Sequence, residues 1–326
     1  MDPGIEPLDL RYILFDSDTL VLLTTEEGLE TLKEAESLGP KDQPLPVKET
    51  IVLGEGGGRG SMSYRELLDL GRDVEEEVFR SLPRPKPFDP VAIMYTSGTT
   101  GRRKGVILNS LGLVNKSMAS MARQGIDGRD RLCLFFPLFH MFGNTCIALS
   151  GLLVGATLIM SSNTFDPEKV LKAMCQERCT AIFGSPSMFL SLLDHSLSKK
   201  GSWEGVKKGT IGGASCPSEL MRRLVVDLGV KGLVTAYGIT EASSWITMAD
   251  PEDPMELKLK TVGRALPCCE VKIVDLETGE DLGIGRQGEI VTRGYLMKGY
   301  HNLPQATEQA IDQWGWFHTG DLESMD

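Results

Sequence analysis

The sequence lacks the excess of basic residues that nucleic-acid-binding proteins use. Its 326 residues include 34 lysines and arginines against 45 aspartates and glutamates, which gives a formal net charge of −11. Because phosphate backbones are bound chiefly by lysine and arginine, we expect no nucleic-acid partner. A nucleotide needs only a local anion site, so this composition is compatible with a nucleotide-binding protein.

Long apolar runs are also missing. The longest, Thr145–Met160, is interrupted by Gly151 and Gly155 and is too short to cross a bilayer. It predicts a buried helix, a turn at Gly155 and a buried strand over Ala156–Met160. The N-terminus, MDPGIEPLDL, is acidic and has no basic segment followed by an apolar one, as a signal peptide would. We therefore expect a cytoplasmic protein without a transmembrane segment.

A disulfide framework is not expected either. The seven cysteines are an odd number and lie mostly in apolar stretches, which favours reduced thiols. Cys175 and Cys179 are four residues apart and could share one face of a helix, but no histidine stands near them at the spacing of a metal site. The sequence therefore predicts no zinc site.

The first 90 residues predict a partial α/β unit that ends in a linker. The segment Glu55–Met62 is rich in glycine but matches no phosphate-binding motif, so it predicts a connecting loop. The proline-rich segment Ser81–Pro90 predicts a linker, because each proline blocks a helix or a central strand. Hydrophobic periodicity predicts helices over Thr25–Leu38 and Ser63–Arg80, and strands over Leu10–Phe15, Thr19–Leu23 and Glu49–Leu53.

Residues 91–261 alternate between apolar strands and helices such as Pro167–Glu177 and Pro217–Asp227. This alternation predicts an α/β fold in which helices cover a parallel sheet. Residues 262–326 contain short strands separated by glycine turns and predict a small antiparallel β unit. The predicted strands of the two units are Ala92–Tyr95, Leu132–Phe136, Ala156–Met160, Ala181–Gly184, Lys208–Ile211 and Gly232–Ala236, followed by Val271–Asp275, Gly288–Thr292 and Trp316–Thr319.

The strongest functional motif begins where the predicted strand Ala92–Tyr95 ends. The sequence there is YTSGTTGRRKGV, a series of hydroxyl and glycine residues that ends in a cation. Glycine lets backbone N–H groups approach an anion, hydroxyl groups add donors, and lysine adds charge. It is not a Walker A loop, because Lys104 is followed by Gly105 rather than by serine or threonine. The motif predicts a phosphate-binding loop formed by Thr96, Ser97, Gly98, Thr99, Thr100, Gly101 and Lys104.

This loop closely resembles the signature loop of the adenylate-forming, or AMP-binding, superfamily. That superfamily includes acyl-CoA synthetases, aryl-CoA ligases, firefly luciferase and the adenylation domains of peptide synthetases. One departure is Arg103, which stands where the family usually has proline and adds a positive charge beside the loop. Four further segments resemble motifs of the same family, in the family's order, and their wording is most similar to medium-chain acyl-CoA synthetases. They are Phe135–Gly143, Gly212–Ser215, Tyr237–Glu241 and Trp316–Asp321.

The resemblance implies that three of these segments bind the nucleotide. Tyr237 would stack on adenine, Asp321 would bind the ribose hydroxyls, and Thr240 would reach the α-phosphate. Glu241 would bind Mg²⁺, which prefers oxygen ligands. From the residues alone, Tyr237 can equally be a core tyrosine, Glu241 a helix N-terminal residue and Asp321 a turn residue that caps its own backbone. The nucleotide-binding residues implied by these segments are Gly213, Ala214, Ser215, Tyr237, Gly238, Thr240, Glu241 and Asp321.

His140 lies in a run of phenylalanines and methionine. A lone histidine in such a run is usually a core residue, but in the resembled family this position gates the acyl pocket, here with Phe142 and Gly143. Amino-acid-activating relatives typically carry an aspartate in this segment, which pairs with the substrate ammonium group. This segment has none, and an unpaired buried ammonium group is very unfavourable, so an apolar acid is favoured over an amino acid. The catalytic residues implied are Lys104, His140, Thr240 and Glu241.

The resemblance implies that ATP and a carboxylic acid form an acyl-adenylate. The carboxylate would attack the α-phosphorus in line, pyrophosphate would leave, and Mg²⁺ would assist by neutralising charge. In CoA ligases of the family, CoA then displaces AMP. A fatty acid is the favoured substrate, and the alternatives are an aryl or other small organic acid, or a nucleotide-binding fragment without catalysis.

Members of the resembled family are longer than this chain. The resemblance therefore implies truncation at both ends and the absence of the family's small C-terminal swinging domain, whose lysine supports adenylation. We expect the 326 residues to bind ATP or AMP but to be poor catalysts alone. The sequence leaves the assembly open, with a homodimer among the alternatives.

Overall fold

The structure is a computed structural model that describes residues 4–40, 42–54, 60–96, 103–198 and 200–326. Residues 97–101 of the predicted phosphate-binding loop lie outside the described residues, and so does most of the predicted connecting loop over Glu55–Met62. The fold and the site are therefore built from the described ranges alone.

The described residues form α-helices, sixteen strands and a few shorter helical turns. The α-helices are α1 Pro7–Asp16, α2 Glu26–Ser37, α3 Tyr64–Gly71, α4 Glu76–Ser81, α5 Ser110–Gln124, α6 Ser150–Leu153, α7 Pro167–Gln176, α8 Pro186–Asp194, α9 Ser218–Arg222, α10 Met255–Lys260 and α11 Pro304–Ala310. The strands are β1 Val21–Thr24, β2 Glu49–Val52, β3 Met62–Ser63, β4 Pro90–Thr96, β5 Lys104–Asn109, β6 Arg131–Leu134, β7 Thr157–Met160, β8 Ala181–Gly184, β9 Lys208–Gly212, β10 Gly232–Ile239, β11 Ser244–Met248, β12 Arg264–Ala265, β13 Glu270–Val274, β14 Gln287–Arg293, β15 Gly299–Tyr300 and β16 Phe317–Ser324. Two π-helical segments, Phe142–Leu149 and Arg223–Asp227, and two 3₁₀ turns, Lys200–Trp203 and Thr240–Ala242, complete the set.

A seven-stranded sheet forms the centre of the molecule, with strand order β12-β11-β10-β9-β8-β6-β7. The strands β6 to β10 run parallel, and β11 and β12 add an antiparallel edge. Ile182 and Phe183 are consecutive on β8 and belong to different buried clusters, because successive side chains of a strand point to opposite faces. Both faces of the sheet are therefore covered, and the predicted α/β fold with a parallel sheet is confirmed.

The strand that leads into the predicted phosphate-binding loop lies in a different sheet. β4 and β5 pair antiparallel in a three-stranded sheet of order β15-β5-β4, and the register sets Thr96 opposite Lys104. The prediction that Ala92–Tyr95 joins the parallel strands was wrong, because β4 pairs antiparallel with β5, the next strand in the sequence. The described ends of the loop are thereby held side by side.

The N-terminal unit differs from the prediction in two places. Leu10–Phe15 was predicted as a strand but lies inside α1, whose buried residues Leu10 and Leu14 are one helical turn apart. Ser63–Arg80 was predicted as one helix but forms two, α3 and α4, and α3 ends at Gly71, a poor helix former. The strands β1, β2 and β3 form a small parallel sheet beside these helices.

The C-terminal region contains the predicted antiparallel unit, a sheet of order β13-β14-β16. Its short strand β15 pairs instead with β5, with Tyr300 opposite Val106. This pairing ties the last part of the chain to the strand that begins at Lys104. The domain boundaries at residues 90 and 261 stay predictions. No helix of the described residues is long and apolar enough to span a membrane.

Candidate functional site

Two adjoining cavities lie where the parallel strands β6, β9 and β10 end. Their volumes are about 640 and 540 Å³, and both are lined by Gly213, Gly238 and Ile239. Ligands of open parallel sheets bind at this edge of the strands. The predicted site residues in the first cavity are Thr96, Lys104, His140, Phe142, Gly213, Gly238, Thr240 and Glu241. Those in the second cavity are Gly213, Ala214, Ser215, Tyr237, Gly238 and Asp321.

The turn after β10 brings Thr240 and Glu241 into the first cavity. A bulge separates Tyr237 from Gly238, and a Cβ at Gly238 would lie 2.2 Å from the carbonyl oxygen of Ser244, so only glycine fits there. Ser244 has φ +121°, a conformation that non-glycine residues rarely adopt. Backbone strain of this kind persists where the surrounding structure holds it, and here it reverses the chain sharply enough to expose the Glu241 side chain to the cavity.

Lys104 and Glu241 both contact Tyr300. The Tyr300 hydroxyl donates a hydrogen bond of 2.8 Å to Oε1 of Glu241, and the Lys104 Nζ lies 4.9 Å from the centre of the Tyr300 ring. Burial and the nearby carboxylate raise the pKa of Tyr300 well above its ordinary value, so its hydroxyl stays protonated and donates at neutral pH. Tyr300 was not among the predicted site residues. It lies outside the resembled segments and reaches the site only because β15 pairs with β5.

His140 stands at the aromatic end of the first cavity. Its side chain is accessible, yet the protein packed around it lowers its pKa, and its Nδ1 accepts a hydrogen bond of 3.1 Å from the backbone N–H of Phe142. The ring of Phe136 lies 5.3 Å from the His140 ring and 4.5 Å from that of Phe142. Trp245 meets Phe142 edge to face at 4.9 Å. These rings give this end of the cavity an apolar wall.

Gly143 lines neither cavity but supports this wall from behind. A Cβ at this position would lie 2.2 Å from the carbonyl oxygen of Pro137 and 2.6 Å from that of Phe136. Glycine is therefore required for the π-helical segment to pack against the chain before His140. The structure gives Gly143 a packing role, and its part in an acyl pocket stays a prediction.

In the second cavity, a tyrosine and a carboxylate share one hydrogen bond. The Tyr237 hydroxyl donates to Oδ2 of Asp321 over 2.6 Å, and burial together with this contact raises the pKa of Tyr237. Across the cavity lies the exposed turn Gly213–Ser215, in which Gly213 has φ +80°. The cavity is thus bounded by an aromatic side chain, an acceptor with two oxygens and a backbone turn.

The positive charge of Arg103, which the sequence places beside the loop, is paired with a carboxylate. Its Nε forms an ion pair of 2.9 Å with Oδ2 of Asp9, and its backbone oxygen accepts a hydrogen bond from Tyr12. On the other side of the loop, the Tyr95 hydroxyl donates to Asp16 over 2.6 Å. Helix α1 therefore holds the described residues at both ends of the loop and balances the charge of Arg103.

Comparison with known proteins gives a consistent result. A sequence model of the family described as AMP-binding enzyme matches residues 1–301. Bacillus subtilis YngI is 34% identical in an alignment of length 336, which covers 98% of this chain and 60% of YngI. The human mitochondrial medium-chain acyl-CoA ligase ACSF2 is 32% identical in an alignment of length 344, which covers 100% of this chain and 56% of ACSF2. The chain thus spans a little over half the length of these relatives.

Among solved structures, the crystal structure of ATP-bound MatB from Rhodopseudomonas palustris has a TM-score of 0.84 and 25% sequence identity. The match covers 100% of this chain and 61% of MatB.

Proposed function

The chain belongs to the AMP-binding enzyme family, and from that premise we propose that it binds ATP and a carboxylic acid and supports their conversion to an acyl-adenylate. The observation that carries this proposal is the arrangement of the two adjoining cavities. The first cavity is lined by the cation of Lys104, the carboxylate of Glu241 and an aromatic wall, and the second by Tyr237 and Asp321. MatB, which is similar to the whole length of this chain, was solved with ATP bound, and this supports ATP as the nucleotide.

In the proposed complex, adenosine occupies the second cavity and the phosphates extend into the first. Tyr237 stacks on the adenine, and Asp321 accepts hydrogen bonds from the two ribose hydroxyls. The shared lining at Gly213 and Gly238 gives the nucleotide a path between the cavities. Lys104 then meets the polyphosphate, and Thr240 donates to the α-phosphate.

Mg²⁺ fits the donors that the first cavity offers. Glu241 and Thr240 supply hard oxygen atoms, and no cluster of three or more histidine, cysteine, aspartate or glutamate side chains that could hold a metal occurs within the described ranges. One protein carboxylate combined with substrate phosphates is the usual Mg²⁺ arrangement in nucleotide sites. The ion would neutralise charge on the phosphates, while the Tyr300 hydroxyl holds the Glu241 carboxylate.

The carboxylic acid is proposed to lie against the aromatic wall, with its carboxylate toward the phosphates. Holding the two reactants in one cavity replaces a bimolecular encounter, and the fixed charges stabilise the pentavalent transition state. The rings of Phe136, Phe142 and Trp245 favour an apolar acid, and ACSF2 is named for medium-chain substrates. We therefore propose a fatty acid as substrate, with later transfer of the acyl group to CoA.

Exchange of labelled pyrophosphate into ATP tests this function. The assay is run with octanoate, with benzoate and without acid, together with direct measurement of AMP binding. Exchange that requires octanoate supports the fatty-acid proposal, and exchange only with benzoate favours an aryl-acid ligase. AMP binding without exchange indicates a nucleotide-binding unit that does not catalyse adenylation alone. Lys104→Met should abolish any exchange, whereas Lys33→Met, an exposed lysine on α2, should leave it unchanged.

A further inference from the structure

A largely buried carboxylate outside the predicted site residues contacts the turn that carries Asp321. Glu289, on β14, is 14% exposed and lines the first cavity. Its Oε1 accepts a hydrogen bond of 2.9 Å from the backbone N–H of Gly320, and its Oε2 lies 2.8 Å from Nδ1 of His318. Both oxygens of one carboxylate are therefore committed to a segment of three residues on the neighbouring strand.

The segment held in this way is a local turn of the backbone within β16. Gly320 has φ +75°, the left-handed conformation that glycine adopts without steric strain. The Thr319 hydroxyl adds a second anchor, because it donates to the carbonyl oxygen of Ile290 over 2.7 Å and accepts from the N–H of Asp321 over 3.1 Å. The register of β14 and β16 shifts at this point, between Glu289 and Val291.

The two sides of the turn belong to different cavities. His318, Thr319 and Gly320 line the first, whereas Asp321 lines the second, where it also accepts the hydrogen bond of Tyr237. A carboxylate that recognises two adjacent hydroxyl groups must be aimed accurately, since each hydrogen bond weakens steeply away from linear geometry. The direction of the Asp321 side chain depends on the conformation of Gly320, and that conformation depends on Glu289.

We propose that Glu289 is a positioning residue that orients Asp321 toward the vicinal diol of the bound nucleotide. It acts through the Gly320 amide. The inference rests on the proposed function, because it assumes that Asp321 binds the ribose. On this proposal, the affinity for the two ribose hydroxyls depends on the length of the Glu289 side chain, which lines the neighbouring cavity.

Two substitutions separate the reach of this side chain from its charge. Glu289→Asp keeps the charge but shortens the side chain by one methylene, so that it no longer spans His318 and the Gly320 amide. Glu289→Gln removes the charge but keeps the length. Its carbonyl oxygen can accept from Gly320, and its amide can donate to the other tautomer of His318. If Glu289 acts through the length of its side chain, AMP binding is weakened in Glu289→Asp and nearly normal in Glu289→Gln.

The experiment measures dissociation constants for AMP and for 2′,3′-dideoxy-AMP, which lacks both hydroxyl groups. In Glu289→Asp we expect AMP binding to weaken about tenfold and dideoxy-AMP binding to stay within about twofold of the unsubstituted chain. Glu289→Gln should bind both nucleotides within about threefold. Thr319→Val, which removes the other anchor of the turn with little change in volume, should repeat the selective loss and serves if the aspartate variant does not fold.

Asp321→Asn is the reference for the diol contact. In the double variant of Glu289→Asp with Asp321→Asn, AMP affinity should equal that of Asp321→Asn alone, because one substitution acts through the other. The inference is overturned if folded Glu289→Asp binds AMP normally, or if it loses both nucleotides equally, as a merely structural role would require. Should the unsubstituted chain fail to bind AMP, or bind it independently of Asp321, the proposed function itself fails.

Discussion

The packing of Gly143 makes a sharp prediction, because its neighbours are backbone atoms that cannot rotate away. In Gly143→Ala the new methyl group would start 2.2 Å from the carbonyl oxygen of Pro137, whereas Cβ contacts under 3.0 Å essentially never occur in proteins. The chain must therefore separate by at least 0.8 Å, the difference between these two distances. Phe136, whose carbonyl oxygen lies 2.6 Å from the same methyl position, must move as well.

The size of the effect follows from the kind of neighbour. Overpacking a well-packed site costs about 1–3 kcal/mol, and displacement of backbone rather than of a flexible side chain puts this case at about 2–3 kcal/mol. A long chain loses roughly 2 °C in Tm for each kcal/mol, so we expect a decrease of about 4–6 °C. Movement of Phe136 would also disturb its contact with His140, at the aromatic end of the first cavity.

Thermal unfolding followed by circular dichroism measures this effect. Gly71→Ala is the matched control, because no atom lies within 4 Å of the position of its Cβ, and its Tm should stay within about 1 °C. AMP binding provides a second measurement, since the adenosine is proposed to occupy the other cavity and AMP affinity should be largely retained in Gly143→Ala. A Tm decrease no larger than that of the control would refute the packing argument.

Three further predictions concern the first cavity. Lys104 forms no salt bridge with another described residue, and a charge about 4 Å from a phosphate contributes roughly 1–4 kcal/mol. In titration calorimetry, Lys104→Met should therefore weaken ATP binding about 10- to 30-fold and AMP binding under threefold. Equal losses for the two nucleotides would contradict the assignment of Lys104 to the polyphosphate. Tyr300→Phe removes the donor to Glu241 and should lower the Tm by about 2 °C, whereas Tyr64→Phe, an exposed tyrosine, should not change it. Because the pKa of His140 is lowered in the folded chain, the unfolded chain binds more protons below about pH 6.5, and stability must fall as the pH falls through that value. His140→Gln should therefore lose less Tm between pH 7.5 and 5.5, and identical losses would show that the folded chain does not disfavour the charged imidazole.

The parallel sheet could be predicted because buried parallel strands are continuous apolar runs. The strand over Ala181–Gly184 was predicted with its observed bounds, and its residues are all buried. A short apolar run without flanking signals is ambiguous, and for that reason Leu10–Phe15 was assigned to a strand although it lies within a helix. The direction of β4 could not be predicted, because strand pairing depends on residues beyond the loop that follows it.

The residues of the site could be predicted where they belong to a short motif, and could not where pairing with a distant strand brings them in. The short motifs predicted residues that do line the two cavities, since most of these motifs lie at or directly after the end of a strand. Their catalytic and binding roles stay predictions. Tyr300 and Glu289 carried no such signal, because each enters the site through pairing with another strand. The sequence placed the charge of Arg103 beside the loop but could not show its partner, because only the docking of α1 brings the carboxylate of Asp9 to it.

The pairing of β15 with β5 also has a consequence for the order of folding during synthesis. Tyr300 pairs with Val106, which is 194 residues earlier in the chain. As the polypeptide leaves the ribosome, Lys104 and Glu241 emerge well before the tyrosine that contacts both of them, and domains generally begin to fold from the N-terminus. Contacts over so long a sequence distance form slowly. The first cavity is therefore completed among the last events of maturation, and a nascent chain halted before residue 299 would hold both charged groups without the tyrosine that contacts them.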